Sequence, residues 1–167
     1  VGMWVAAVPP SALGLTADSL APPALVAGVG LGVALHAVNA VGSRLSDRFG
    51  LGDATALREA LAPESAAGWA VLLFVVLPVV AGFEELLFRG ILIGAFATGF
   101  GLPPWLLAVL SSVAFALGHG AQGRAGVVVT GALGFVLAAA FVLTGSLVTV
   151  LVAHYLVNAL EFVVNEW

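Results

Sequence analysis

The chain has 167 residues and a formal net charge of −4, with 62% of its residues apolar and 8% charged, against about 25% charged in a soluble domain. A soluble domain this small keeps most of its residues near water, so the missing charge excludes a water-facing surface and points to lipid. The absence of cysteine excludes disulfide and thiolate chemistry, and five arginines with no lysine form no basic patch for nucleic acid.

Val1–Pro10 reads as the tail of an apolar segment cut short, so a fragment or trimmed chain is expected. It lacks the charged start of a signal peptide. Pro22–Gly42 is the first stretch of the roughly 20 apolar residues that a membrane crossing needs. Its polar interruptions are His36 and Asn39, three apart, for which hydrogen bonding between helices is favoured over a catalytic role. Ser43–Glu64 is hydrophilic, with Arg44, Asp47, Arg48, Asp53, Arg58, Glu59 and Glu64. Within it Ala54–Ala62 is predicted as a short interfacial helix capped by Asp53. Three of the five arginines lie in this loop, which places it in the cytoplasm. Arg124 falls on the same side if Ala66–Phe100 is one crossing.

Ala66–Phe100 would reach about 50 Å as a helix, beyond a hydrocarbon core of roughly 30 Å. It is either one tilted helix or broken near Pro78 or Gly82. Pro104–His119, Gly126–Leu143 and Leu147–Val164 follow, giving five candidate spans. Glu161 and Glu166 read as interfacial and solvated. No internal repeat is visible. The expected fold is all-α: a polytopic transmembrane helix bundle with a buried polar site, comprising an N-terminal region, 1–65, and a helical core, 66–167. Lipid is the expected surrounding.

Ionisable groups inside a bilayer are costly and usually have partners, so the few in these spans can be weighed singly. Glu84-Glu85-Leu86-Leu87-Phe88-Arg89 places Glu85 and Arg89 four apart, where a helix lets them pair. Glu84 lies about 100° round the helix, with Phe88 rather than a charge four residues on. One carboxylate is thereby engaged and its neighbour left free, an arrangement that suits a general base. The alternative is a wet helix end. Phe115-Ala116-Leu117-Gly118-His119 closes an apolar helix with Phe115 and His119 on one face; its alternative is a histidine at the lipid–water boundary. His154 and Asn158, four apart on Leu147–Val164, form a polar stripe that needs partners; its alternative is glue between helices. Three helices thus supply a free carboxylate, two imidazoles and an amide, the parts for activating water and holding an oxyanion.

These clusters resemble the CPBP family of intramembrane proteases, also called the Abi or CAAX-protease family, which includes type II CAAX prenyl endopeptidases and bacterial proteins linked to bacteriocin processing and self-immunity. Its Glu-Glu-x-x-x-Arg motif is matched by Glu84, Glu85 and Arg89, its Phe-x-x-x-His motif by Phe115 and His119, and its His-x-x-x-Asn motif by His154 and Asn158. The resemblance covers about Ala66 to Val164 and makes 66–167 a CAAX-protease-like catalytic core. It implies that Glu84 activates the attacking water with His119. It implies that His154 and Asn158 hold the substrate carbonyl and oxyanion, that Glu85 and Arg89 form a supporting ion pair, and that Phe115 packs beneath His119. Glu84, His119 and His154 could serve as three zinc ligands, the reading that the family's metalloprotease label favours; water activated without a metal is also consistent with the residues.

The leading expectation is an intramembrane endopeptidase acting on a membrane-associated protein or peptide. Alternatives are a non-catalytic scaffold or bacteriocin-immunity partner and, less favoured, a proton-coupled transporter, against which stands the lack of repeats and of matched broken helices. The Ala, Gly and Val bias and the lack of lysine suggest a prokaryotic cell membrane, which points away from a prenylated substrate. Oligomeric state is not readable.

Overall fold

The computed structural model describes residues 8–48 and 54–167. The segment Val1–Ala7 and the Asp53 cap lie outside the described residues, as do the side chains of Arg44, Asp47, Arg48 and Arg124. Helix α1 spans Pro22–Arg48, α2 Ala54–Leu61, α3 Ala66–Phe100, α4 Pro104–Gly118, α5 Gly123–Thr144 and α6 Leu147–Glu166. Short 3₁₀ turns cover Pro10–Leu13, Ala17–Leu20 and Gly120–Gln122. No strand occurs among the described residues. The fold is the all-α polytopic bundle expected.

Among the described residues four helices are long and apolar enough to cross a membrane, one fewer than the five candidate spans. The exception is α4. Its 15 residues rise about 22 Å, short of a hydrocarbon core of roughly 30 Å. His119 follows its last turn, so it sits where this helix stops rather than at the far boundary of a full crossing.

Helix α3 is unbroken, which decides between the two readings of Ala66–Phe100. Proline removes a backbone donor and clashes with the carbonyl four residues back in a regular helix. Here the wider π-helical turn Leu72–Val76, closed by the Leu77 amide on the Leu72 carbonyl, precedes Pro78 and absorbs it. A second π-helical segment, Leu86–Ala95, begins directly after Glu85. The Ser65 hydroxyl caps the start of α3, accepting from the Gly68 amide at 3.1 Å. Gly101 ends α3 and Gly145 ends α5, with φ of 65° and 62°, a left-handed conformation that glycine adopts without steric cost.

Helices α1 and α6 run parallel. Gly28 meets Thr149 and Val152, Gly32 meets Ala153 and Leu156, and His36 meets Glu161, the numbers rising together. A Cβ on Gly28 would fall 2.7 Å from the Thr149 carbonyl oxygen, and one on Gly32 would fall 2.9 Å from that of Ala153. The pair Gly28-x-x-x-Gly32 therefore lets two backbones approach closely, as small residues do between membrane helices.

The polarity of the bundle is inverted relative to a soluble domain. Phe74 is 75% exposed and Leu143 74%, whereas Glu85 and Arg89 are 0% exposed. A lipid surround stabilises outward apolar side chains, and the bundle interior provides the partners that charges require. The main apolar core, around Ile93, Leu107, Leu137, Phe141, Val150 and Val157, draws on every helix from α3 to α6 and on Leu35 of α1.

Glu161 and Glu166 are not solvated as the sequence suggested. Glu161 Oε1 accepts from Asn39 Nδ2 at 2.8 Å and meets His36 Nδ1 at 3.0 Å. Arg58 Nε donates to Glu166 Oε1 at 2.7 Å, and Arg58 Nη1 lies 3.5 Å from Glu161 Oε2. This polar latch fastens α2 and α1 to the end of α6. Hydropathy could not reveal it, because its members lie more than a hundred residues apart.

Candidate active site

The three polar clusters meet inside the bundle. From Ala66, Glu84 lies 18 positions along α3, about 27 Å of helix, so its neighbourhood is well removed from the helix ends. Glu84 Oε2 is 3.5 Å from His154 Nε2, and Glu84 Oε1 is 3.8 Å from His119 Nε2. The side chain of Glu84 is 21% exposed and that of His119 24%, so both retain access to small molecules.

Behind this group lies a fully buried support. Arg89 Nη1 donates to Glu85 Oε1 at 2.8 Å, closing the expected i,i+4 pair. The same oxygen accepts from His154 Nδ1 at 2.6 Å. Helical spacing predicted the first contact and gave no hint of the second, which joins residues 69 apart. Arg89 Nη2 donates to the Gly134 carbonyl at 2.8 Å. The Arg89 guanidinium also stands 4.7 Å over the Phe115 ring, a cation–π contact strengthened by exclusion of water. Glu85 Oε2 and Arg89 Nε are buried without a hydrogen-bond partner among the described residues.

Phe115 is the packing centre. Its ring meets Phe88 edge-on at 5.0 Å between centroids, His119 at 4.4 Å and His154 at 5.9 Å. It thus touches both imidazoles, a wider contact than lying beneath His119 alone. Gly134 is required by this packing: a Cβ there would stand 2.9 Å from Phe115 Cδ1 and 3.5 Å from Arg89 Nη2.

Hydrogen bonding determines the histidine tautomers. His119 Nδ1 faces the Phe115 carbonyl at 2.8 Å and must donate to it, since a carbonyl only accepts. His154 Nδ1 donates to the Glu85 carboxylate for the same reason. In their neutral forms both histidines therefore direct an Nε2 lone pair towards Glu84. Three acceptors face one another at separations wider than a direct hydrogen bond. A water molecule between them can give its two O–H groups to this set.

Asn158, one turn beyond His154 on α6, is half-buried and makes no side-chain hydrogen bond among the described residues. Glu84, Glu85, Arg89, Phe115, His119 and His154 are brought together by direct contacts, and Asn158 follows on the same helix face as His154.

The donor chemistry of Glu84, His119 and His154 suits zinc. As the side chains stand, however, no group of three His, Asp or Glu among the described residues is arranged to hold a metal ion. The chemistry is accordingly derived from the chain's own groups.

An apolar groove of about 430 Å³ runs between α4 and α5, lined by Ser112, Ala116, Leu117, Val128, Gly131 and Phe135, among others, and by none of the motif residues. The Ser112 hydroxyl is turned away into its own helix, bonding the Ala108 carbonyl at 2.7 Å.

Two contributors escaped sequence reasoning. Gly134 sits in an apolar helix with many small residues, and nothing local marks it. Ser111 is equally inconspicuous, yet its hydroxyl donates to the Phe88 carbonyl at 2.6 Å.

A family model described as type II CAAX prenyl endopeptidase Rce1-like matches residues 66–160. The match covers more than half of the chain and contains every residue of the three clusters. No curated protein and no solved structure matches the chain.

Proposed function

Since the chain belongs to the Rce1-like family, a family of type II CAAX prenyl endopeptidases, we propose that it is an intramembrane endopeptidase that hydrolyses a peptide bond of a membrane-associated protein or peptide. The observation that carries this reading is the disposition of the two adjacent carboxylates. Glu85 is engaged through Oε1 by both Arg89 and His154, while Glu84 faces two imidazoles without a direct bond to either.

In the proposed reaction, water sits between Glu84 and His119. Glu84 takes one proton as the water oxygen attacks the scissile carbonyl carbon. Two carboxylates and one guanidinium leave one negative charge uncompensated when both imidazoles are neutral, so the cluster becomes neutral by accepting that proton. The oxyanion that forms is held by the Asn158 amide, while Glu85 fixes the His154 ring beside it through Nδ1. Collapse of the tetrahedral intermediate breaks the C–N bond, and the amine leaves with the proton taken by Glu84. The supporting residues Glu85, Arg89 and Phe115 fix His154 and His119 in orientation. Water and these side chains complete the cycle, and no step runs through a metal.

The end of the bundle that carries α2 is assigned to the cytoplasm of a prokaryotic cell on the arginine count of its loop.

The test is cleavage of a fluorogenic peptide panel by protein in detergent or liposomes. Glu84→Gln is expected to lower kcat by about 10²- to 10⁴-fold with an unchanged melting temperature, because Glu84 is partly exposed and directly bonded to nothing. A Glu84→Gln variant as active as the wild type would overturn the assignment. Loss of a cellular phenotype with intact cleavage-independent partner binding would separate an enzyme from a scaffold.

A further inference from the structure

Helices α3 and α4 carry opposite halves of the site, Glu84, Glu85 and Arg89 on one and Phe115 and His119 on the other. Helices in lipid are held to one another by packing and by interhelical hydrogen bonds rather than by a hydrophobic force between them, so each hydrogen bond between α3 and α4 bears on their register. Among the described residues only one hydrogen bond joins them, from Ser111 Oγ to the Phe88 carbonyl at 2.6 Å. Ser111 is 2% exposed. It lies one turn before Phe115 and two turns before His119, on the same helical stripe. Its acceptor belongs to the residue immediately before Arg89, in the π-helical segment that begins after Glu85.

Such segments are strained departures from α-helix that recur at functional sites. A carbonyl has two lone pairs, so Phe88 can take the Ser111 hydroxyl in addition to an amide. The bond therefore grips the site helix in the irregular segment that carries Arg89 and starts directly after Glu85. Its neighbour supplies an internal contrast. Ser112 is also buried, at 6% exposure, but bonds the Ala108 carbonyl of its own helix and reaches across to nothing.

We propose that Ser111 is a positioning residue that sets the depth at which His119 meets Glu84. The proposal rests on the endopeptidase reading for its kinetic consequence, though not for its geometric one. A shift of about 1 Å between reacting groups can cost about 10²-fold in rate.

The experiment compares Ser111→Ala with Ser112→Ala by steady-state cleavage and by ¹⁵N-histidine NMR, which is tractable because the chain has three histidines. The His119 signal is assigned by its loss in His119→Ala. In Ser111→Ala, kcat should fall about 10- to 100-fold with KM unchanged, and the His119 signal should move. In Ser112→Ala both should stay at the wild-type values. Equal behaviour of the two variants, or an unmoved His119 signal in Ser111→Ala, overturns the proposal. If the wild type cleaves nothing, the endopeptidase reading fails, and the NMR comparison still decides the positioning role. Should Ser111→Ala not fold, Ser111→Cys, similar in volume and a weaker donor, carries the same comparison and should show the same signs at smaller size.

Discussion

Replacing Arg89 with methionine probes the buried support in its most exposed assumption, that Glu85 is held as one half of an ion pair. Both side chains are 0% exposed, and the guanidinium supplies Glu85 with one of its two hydrogen bonds, Gly134 with its side-chain donor and Phe115 with its cation. Methionine keeps an unbranched stem and removes the charge. Stranding one partner of a buried ion pair costs about 3–5 kcal/mol. The lost bond to Gly134 and the lost ring contact belong to the same network and do not simply add to that figure. For a chain of this length about 2–4 °C accompanies each kcal/mol, so the melting temperature in detergent should fall by about 6–20 °C. The double variant Glu85→Gln with Arg89→Met should regain most of the loss, because the cost lies in the stranded charge. Glutamine retains an oxygen that can accept from His154 Nδ1. The reasoning is refuted if Arg89→Met melts with the wild type, or if the double variant falls as far as the single one.

Three further outcomes are expected. Gly28→Ala should destabilise the bundle by about 1–3 kcal/mol, since its Cβ would meet the Thr149 carbonyl at 2.7 Å, whereas Gly30→Ala, with nothing within 4 Å, should be neutral or stabilising by up to about 1 kcal/mol; parallel melts in one detergent read the contrast. Gly134→Ala drives a methyl to 2.9 Å from the Phe115 ring, so kcat should fall about 10-fold or more through displacement of Phe115 and the histidines it packs against, measured on the same peptide panel. In the metal-free mechanism proposed above, dialysis against a chelator leaves cleavage undiminished; loss of activity restored by added zinc would refute it.

Much of the fold was legible because a bilayer simplifies the reading. A chain with 8% charged residues must present apolar side chains outward, and backbone groups in lipid must pair within each segment, so the helices announce themselves as long apolar runs. Motif residues stand out for the same reason, since Glu84, Glu85, Arg89, His119 and His154 interrupt those runs at a cost that demands an explanation. The pairing of Glu85 with Arg89 followed from helical periodicity, which relates residues one turn apart.

What lay beyond the sequence is what depends on how separate helices meet. Periodicity could not place His154 on Glu85, Arg58 and His36 on the α6 carboxylates, or Arg89 on the Gly134 carbonyl, because each joins segments distant along the chain. It could not distinguish Ser111 from Ser112, two adjacent hydroxyls of which only one faces another helix. Nor could it foresee that α3 passes through Pro78 intact, since the wider turn that accommodates the proline is a choice of backbone hydrogen bonding. Composition and periodicity therefore determined that helices are long and apolar enough to span a membrane and which polar residues within them are candidates for chemistry. The packing of α3 against α4, α5 and α6 alone decided that His154 also bonds the engaged carboxylate and that both imidazoles face the free one, because those contacts turn on distances between helices that no local pattern encodes.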